Sequence, residues 1–425
     1  MVAINSHKTL TYFVLIMFII TCGCDILAEE PFTITQIDDN GSSSCRRPHN
    51  AGLYAEGRTF VCWAGPEMAP CVKMYDHENG TWSETAVIHS YRNRDYHDYP
   101  MMILGPDKYL HVFWTRHNGE IHHCRSPEPL SIKGKWSHQV IKGVRATYPC
   151  PMAGPDGTLY LFYRGRGNPK RSHADYLKST DKGKTWQVVK DAISTKHEGK
   201  NSGFYLQHVT REPCPEGTTW RYQLVWHLRH GGGNSPLKNV YFARFYPDQE
   251  VFQSVDGSDL GEAISHEEMV EHCLVKETGE ASFKMLSQAL DNGAPIVFYR
   301  LWNNPTTQCA RWTGSQWEDK AVPFGPFQDV EKIGPKAFRV YVTPTGEADK
   351  LSLWETIDGG KTWEHTGGIG LPTKGISQAI LINNFHPAAK LFIKQDDQWN
   401  SKSYSGEDKI FVAGEKELKG EPMKE

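Results

Sequence analysis

The chain has 425 residues, of which 12% are aromatic and 23% are charged, and its formal net charge at pH 7 is -3. Because there is no excess of positive charge, the composition gives no reason to expect binding to nucleic acid or to a membrane surface. The length allows one large core, and the 13 tryptophans are typical of a domain built from many short strands.

The first segment of the chain has the pattern of an export signal. His7 and Lys8 precede an apolar run at residues 12–20 (YFVLIMFII), which is too short for a membrane span. We expect a signal peptide over residues 1–28, cleaved after Ala28, or a lipoprotein signal with the lipid on Cys22 or Cys24. The mature protein is therefore expected to be secreted, periplasmic or lipid-anchored at the cell surface, with no transmembrane segment.

Cysteine usage is compatible with export but does not define a disulfide pattern. Several cysteines lie on predicted strands and are expected to be buried thiols, and the spacing fixes no connectivity. The cysteines that follow the signal are Cys45, Cys62, Cys71, Cys124, Cys150, Cys214, Cys273 and Cys309.

Strand-turn-strand repeats organise the rest of the chain. Residues 99–114 (YPMMILGPDKYLHVFW) align without gaps with residues 148–163 (YPCPMAGPDGTLYLFY), and each predicts an inner strand, a Gly-Pro-Asp turn and a second strand. Similar starting points lie near residues 45, 97, 146, 203, 281, 335 and 376. These predict seven units in a single domain over residues 31–414, with a short helix within 262–272 and a charged tail at 415–425.

Two turns share an eight-residue pattern, STDKGKTW at residues 179–186 and TIDGGKTW at 356–363. The aspartate can accept hydrogen bonds from turn amides, the glycine can adopt positive φ, and the tryptophan can pack at the base of the hairpin. This is the Asp-box, or BNR repeat, signature, and the chain resembles that superfamily. The resemblance implies an all-β fold, a seven-bladed β-propeller.

Polar residues on inner strands and after second strands are the candidates for a site in such a fold. His97 opens the inner strand of the second unit, and His117 follows that unit's second strand. The ungapped alignment places Arg166 at the position equivalent to His117, and aligning the fourth unit adds Arg229. We therefore expect these side chains to meet at one pocket.

Further candidates come from neighbouring units. Tyr205 and His208 lie on the predicted inner strand of the fourth unit, and Asn50 lies on that of the first. Tyr163 ends a second strand, where it could face the pocket or fill the core. The adjacent His122 and His123 resemble a metal-binding tract, but neighbouring strand residues point to opposite faces, so this pair is not expected to chelate one ion.

The candidate site is rich in His, Arg and Tyr but lacks a clear acidic pair. Most glycoside hydrolases need two carboxylates flanking the bond, and Asp98 and Glu56 do not form such a pair. β-Elimination on a uronic acid requires cations or donors at the carboxylate, a base for the C5 proton and an acid for the leaving oxygen. The residue types available suit that reaction better.

His97-x-x-Pro100, followed by His117 inside an Asp-box propeller, resembles the BNR-4 group of polysaccharide lyases, which includes ulvan lyases and rhamnose–glucuronate lyases. The resemblance implies cleavage of a rhamnosyl-α-1,4-glucuronate bond, with His97, His117, Tyr163 and Arg166 as catalytic residues. Either histidine could be the base, and Tyr163 or the other histidine the acid. The chain has His-Asp-Tyr-Pro where many relatives carry His-Asn-x-Pro, which leaves the subfamily and substrate open.

The resemblance also implies the partners of the protein. We expect an anionic polysaccharide or oligosaccharide substrate bound by Asn50, Tyr205, His208 and Arg229, and a monomer that needs no cofactor for its chemistry. Some relatives hold a structural calcium or zinc, whose ligands the sequence does not identify. Two other functions stay open, a sialidase-like hydrolase, faintly suggested by Arg47-Pro48, and a non-catalytic glycan-binding propeller.

Overall fold

The computed structural model describes residues 32–44, 49–90, 92–93, 95–166, 172–196, 202–214, 219–230, 236–302, 304, 306–347, 349–372, 375–395, 404, 406–415 and 418. The predicted signal peptide, Cys45 and the Arg47-Pro48 pair lie outside this part of the chain. Within it the protein is all-β, apart from one short α-helix and one 3-10 turn at Pro66–Met68. No helix among the described residues is both long and apolar enough to span a bilayer.

The strands form antiparallel runs that follow one another along the chain. After β1 (Thr33–Gly41), the first run is β2 (Gly52–Ala55), β3 (Arg58–Ala64), β4 (Pro70–Asp76) and β5 (Thr81–Trp82), with β6 (Ala86–Val87) also on β4. The second is β7 (Met101–Leu104), β8 (Leu110–Trp114), β9 (Gly119–Arg125) and the first half of β10 (Ser137–Ala153). The second half of β10 starts the third run, with β11 (Leu159–Arg166), β12 (Ser172–Ser179) and β13 (Gln187–Ile193).

The second half of the chain continues in the same way. The fourth run is β14 (Ser202–Pro213), β15 (Trp220–His230), β16 (Leu237–Tyr246) and β17 (Val251–Gln253), followed by β18 (Asp259–Gly261), α1 (His266–His272) and β19 (Leu274–Lys276). The fifth is β20 (Ala281–Ala289), β21 (Pro295–Leu301), β22 (Thr307–Trp312) and β23 (Trp317–Ala321). The sixth is β24 (Phe327–Lys332), β25 (Phe338–Val342), β26 (Lys350–Thr356) and β27 (Glu364–Gly370). The last is β28 (Ile376–His386), β29 (Ala389–Gln395), β30 (Asp408–Gly414) and β1.

Hydrophobic packing closes these runs into a ring. Each run shares a core with the next, as where Leu53 and Phe60 of the first run meet Leu110 and Trp114 of the second. The last run packs on the first in the same manner, and β1 completes the last run by pairing with β30. Face-to-face sheets arranged in a closed ring, each with its first strand innermost, are the architecture of a β-propeller.

The two predicted Asp-box turns are present and equivalent. Asp181 accepts hydrogen bonds from the amide and hydroxyl of Thr185, at 2.9 and 2.6 Å, and Asp358 does the same with Thr362, at 3.0 and 2.7 Å. Gly183, at φ 80°, allows the turn, as proposed from sequence. These donors stabilise the ionised carboxylate, which lowers the pKa of Asp181 to about 2.

One predicted unit boundary is wrong. The sixth run begins at Phe327, whereas the sequence suggested a start near residue 335, which lies in the turn between β24 and β25. β24 (FQDVEK) carries buried polar residues whose partners come from other strands. Asp329 accepts from the Leu381 amide, and Glu331 binds Tyr341 and Lys390 in the interior. An inner strand of this composition gives no apolar signal.

Several smaller expectations can also be compared with the structure. α1 lies within the segment predicted to be helical and starts with a capping box between Ser265 and Glu268. The described cysteines from Cys62 to Cys309 are buried free thiols. Most lie on strands, as expected, whereas Cys214 follows β14 and Cys273 caps the end of α1. At the start of the predicted tail, Glu415 accepts from Arg339 at 2.7 Å and also binds Lys390.

Candidate active site

Four side chains from the second and third runs meet at one end of the inner strands. His97 precedes β7, His117 lies in the turn between β8 and β9, Tyr148 is on β10, and Arg164 is near the end of β11. Because turns that enter inner strands and turns between second and third strands lie at the same end of a propeller, the fold brings these positions together.

Asp95 holds both histidines. Its Oδ1 lies 2.6 Å from His97 Nδ1 and accepts from the His97 amide at 3.1 Å, while Oδ2 accepts from the His117 amide at 2.8 Å. Although partial burial opposes ionisation, these donors hold the pKa of the Asp95 carboxyl well below its usual range. An ionised carboxylate can only accept, so the His97 proton is assigned to Nδ1 and the ring lone pair to Nε2.

The second histidine faces the first and contacts a buried cation. The rings of His97 and His117 lie 4.6 Å apart at 31°, and a terminal nitrogen of Arg164 lies 2.7 Å from His117 Nε2. Since a guanidinium only donates, Nε2 accepts. Partial burial and the adjacent Arg164 charge lower the pKa of His117 to about 4, so its ring is neutral at pH 7.

Tyrosine rings surround the guanidinium of Arg164, which is 5% exposed. Its central carbon lies 4.8 Å from the ring centre of Tyr148 and 4.9 Å from that of Tyr205. The central guanidinium carbon of Arg229 lies 4.7 Å from the ring centre of Tyr205, so a second cation is next to the same cluster. Two guanidinium groups within one aromatic surround suit the binding of a planar carboxylate.

A strained backbone places Tyr148. Its φ is 60°, which is unusual for a residue other than glycine, and the register of β10 on β11 shifts between Thr147 and Cys150. The ring lies 5.7 Å from that of His97 and 5.9 Å from that of Tyr205. Positive φ at bulky residues costs free energy and persists only where the surrounding packing enforces it, and such residues cluster at functional sites.

Two of the predicted catalytic residues do not occupy the expected positions. Tyr163 is 1% exposed, packs in the core shared by the second and third runs, and forms a hydrogen bond with Asp175. Burial and that carboxylate raise the pKa of its phenol far above the usual value. Arg166, which was expected to share the pocket with His117, is exposed at the end of β11, and Arg164, two residues earlier, contacts His117 instead.

Two of the predicted substrate-binding residues lie farther along the channel. Asn50 donates to the Pro151 carbonyl at 3.0 Å, and His208 contacts Thr210 Oγ1 at 2.8 Å. Both line a cavity of about 790 Å³ that also touches Gly105 and Asp156. These turn residues follow the inner strands, so the cavity opens at the end opposite His97 and His117. Of the predicted set, Tyr205 and Arg229 join the site.

Asp98 and Glu56, the two carboxylates considered from sequence, lie in separate environments, as expected. Asp98 is fully buried and accepts from Asn93 Nδ2 at 2.6 Å, whereas Glu56 pairs with Lys108 in an exposed turn. They do not form a pair.

Sequence reasoning missed Asp95, Tyr148 and Arg164. Alternation along β11 could have shown that Tyr163 and Arg166, which are three residues apart, face opposite sides and cannot both join one site.

The comparison with protein families gives one clear match. Residues 58–324 match the model of a family described as "BNR repeat-containing family member". The match spans the first to fifth runs and therefore includes every residue of the site described above.

Individual relatives cover most of the chain. An ulvan lyase of the PL25 type from Pseudoalteromonas sp. (strain PLSV) is 24% identical over 414 residues, with 84% of each chain covered. An ulvan lyase from Nonlabens ulvanivorans is 23% identical over 436 residues, covering 89% of this chain and 91% of the relative. A PL25 ulvan lyase structure bound to -[GlcA(1-4)Rha3S]- has a TM-score of 0.72 at 20% identity, covering 92% and 97% of the two chains. The polysaccharide lyase Uly1 gives 0.62 at 12% identity, covering 90% and 98%. These structures share the fold.

Proposed function

Because the chain belongs to the BNR repeat-containing family, we propose that it is a polysaccharide lyase that cleaves a rhamnosyl-α-1,4-glucuronate bond, as in ulvan, by β-elimination. The named ulvan lyases, aligned over most of this chain, support the proposal. The observation that carries it is the cluster in which the Asp95–His97 pair lies 4.6 Å, ring to ring, from a neutral His117 bonded to Arg164.

Arg164 supplies the cation that the reaction requires. The C5 hydrogen of a uronate is weakly acidic because the adjacent carboxylate carries a negative charge. A guanidinium on that carboxylate stabilises the charge that develops when the proton leaves. The surrounding tyrosine rings leave Arg164 only 5% exposed, so its attraction to a carboxylate is stronger than the same attraction in bulk water. Arg229, above Tyr205, is placed to bind the same group or the neighbouring sugar.

His97 is assigned as the base. Its Nδ1 donates to Asp95, which fixes the tautomer and stabilises the imidazolium formed when Nε2 takes the C5 proton. In glucuronate the C5 hydrogen and the C4 oxygen lie on the same side of the ring, so base and acid must approach from one side.

Tyr148 is assigned as the acid. A histidine whose pKa is about 4 carries almost no proton at neutral pH, which argues against His117 as the donor to the leaving oxygen. A tyrosine phenol is ordinarily protonated up to a pH of about 10. Tyr148 lies beside His97 on the same side of the cluster, and His117 is assigned to position Arg164.

The finer features of the fold and location are part of the proposal. We assign the runs as seven blades of one propeller and place the protein outside the cytoplasm, with the signal peptide cleaved after Ala28 or with a lipid on Cys22 or Cys24. The seven units read from sequence support the first assignment, and the short apolar run at residues 12–20 supports the second.

The test is incubation with ulvan and with a panel of other uronate glycans. A lyase produces a C4–C5 unsaturated uronide, detected by its ultraviolet absorbance and by a mass lower by one water than that of the hydrolysis product. A saturated product would indicate a hydrolase. Binding without any product, in protein shown to be folded, would indicate a carbohydrate-binding propeller.

A further inference from the structure

The second strands of the second to fifth runs share one side-chain register. One position of this strand packs on the preceding run and is held by Trp114, Tyr163, Trp226 and Tyr299. The next residue faces the following run, because side chains alternate along a strand. In the third run this residue is Arg164, and in the fifth run it is Arg300. Phe298, two residues before Arg300, packs on Phe327 of the sixth run, with ring centres 6.2 Å apart.

The same register extends into the turn that follows the strand. Two residues beyond Arg300 is Trp302. The equivalent position holds His117 in the second run and Arg229 in the fourth, and both of these join the candidate active site. The turns after β8, β15 and β21 lie at the same end of the ring, because each joins a second strand to a third. Arg300 and Trp302 therefore lie at the active-site end, where the fifth run meets the sixth.

The two side chains offer complementary contacts to a ligand. Arg300 is partly buried, and its Nε is buried without a hydrogen-bond partner among the described residues. Burial lowers the pKa of its guanidinium, but an arginine stays charged at pH 7. Trp302 is 53% exposed, although it is the largest kind of apolar side chain. A cation beside an exposed indole suits a ligand that has both an anionic group and an apolar face.

We propose that Arg300 and Trp302 form a second sugar subsite for the polysaccharide that is cleaved at Arg164, an inference that rests on the proposed function. The guanidinium binds an anionic group, a carboxylate or a sulfate ester, on a sugar that flanks the cleaved bond. The indole stacks on the C–H face of that sugar. Arg164 faces the fourth run and Arg300 faces the sixth, so the two cations would hold different sugars of one chain.

Such a subsite selects glycans that carry repeated negative charge. A glycan with one uronate fills the Arg164 site alone, whereas a glycan with further anionic sugars fills both sites. Arg300 does not contact the sugar whose C5 proton is removed, so its contribution is the same before and during the chemical step. Loss of the subsite should therefore raise KM and leave kcat unchanged.

The experiment compares a polyanionic uronate glycan with a short oligosaccharide that contains one uronate, using the full mature chain. Arg300→Gln should raise KM for the polyanionic glycan by roughly tenfold, because a hydrogen bond to a charged group is lost. Trp302→Ala should raise it by roughly fivefold. Both variants should keep the wild-type kcat on this glycan and the wild-type KM on the short oligosaccharide.

The same run supplies a matched control. Arg311 pairs with Ile296 at the other end of β21 and binds Glu318 at 2.8 Å. Arg311→Gln removes one arginine from the fifth run without touching the active-site end. It should therefore keep the wild-type KM on both substrates.

Calorimetric binding of the polyanionic glycan separates the subsite from the chemistry, because binding needs no turnover. If no glycan yields an unsaturated product, the proposed function fails, and the affinities of the wild type and Arg300→Gln still decide the subsite. A loss of affinity in Arg300→Gln that disappears on the desulfated glycan identifies sulfate as the bound group. A loss that persists there identifies the carboxylate.

Two results would overturn the proposal. The first is that Arg300→Gln and Trp302→Ala bind the polyanionic glycan as tightly as the wild type does. The second is that Arg311→Gln weakens binding as much as they do. Melting temperatures show whether each variant is folded. Trp302 is exposed, so Trp302→Ala decides the question even if Arg300→Gln folds poorly.

Discussion

Replacement of Arg164 by lysine, and separately by alanine, should reveal whether its guanidinium binds the substrate carboxylate. Lysine keeps the charge but loses the planar fork that can hold both carboxylate oxygens. Each hydrogen bond to a charged group contributes about 1.5–3 kcal/mol, so losing one should lower kcat/KM by roughly 10- to 100-fold. Alanine removes both bonds and the cation, and a decrease of about 10²- to 10⁴-fold is expected.

The structure supplies a matched control on the same strand. Arg166 lies two residues farther along β11, on the same face but exposed to solvent. Arg166→Lys should therefore keep kcat/KM within about threefold of the wild type, since exposed charges contribute little. The assay follows ultraviolet absorbance of the unsaturated product, with melting temperature recorded for each variant to separate misfolding from lost chemistry.

A second substrate isolates the role of the charge. The methyl ester of the uronate already has an acidic C5 hydrogen and carries no negative carboxylate, so it needs no cation. The Arg164 variants should lose far less activity on the ester than on the acid. The reasoning is refuted if Arg164→Lys retains the wild-type rate, if Arg166→Lys loses as much, or if acid and ester decline in parallel.

Three further predictions concern the neighbours of Arg164. Tyr148→Phe should lower kcat by about 10²- to 10⁴-fold because it removes the assigned acid. Tyr163→Phe should leave kcat unchanged and lower the free energy of unfolding by about 1 kcal/mol, because a buried hydrogen bond is lost. Equal kcat values for the two variants would contradict the assignment. Asp95→Asn should lower kcat by about 10²-fold or more by disturbing the His97 tautomer, with KM little changed, and a wild-type kcat would show that the pair is not catalytic. NMR titration should give His117 a pKa of about 4, so its ring stays neutral as the pH falls from 7 to 5. In the unfolded chain the same ring takes up a proton near pH 6.5, so the free energy of unfolding should decrease as the pH falls from 7 to 5.

Most of the fold could be predicted from the sequence because propeller repeats leave local signals. The Gly-Pro-Asp turns mark fixed points of the second and third runs, and the Asp boxes mark those of the third and sixth; both are present as expected. The sixth run was displaced because its inner strand carries Asp329 and Glu331, whose hydrogen bonds are made with distant segments. No local pattern shows that a polar strand will be buried.

The site was predicted only in part, for a related reason. His97 and His117 were found because their spacing follows the repeat. Tyr148 was missed because a bulge and a positive φ set its direction, and neither can be read from residue types. Arg166 was chosen over Arg164 because the ungapped alignment places Arg166 opposite His117, whereas the two arginines share a face of β11 and differ in burial. Position in a repeat therefore predicts which turn carries a residue, but not how deeply its side chain is buried or how a bulge redirects it.

A crystal structure of His97→Ala with a soaked glucuronate-containing oligosaccharide tests the central claim most directly. The account predicts a uronate carboxylate on the guanidinium of Arg164, with the sugar C5 next to the space left by the imidazole and the C4 oxygen within hydrogen-bonding distance of Tyr148. Density for the sugar in the cavity at the opposite end of the channel, beside Asn50 and His208, with none at Arg164, would contradict it.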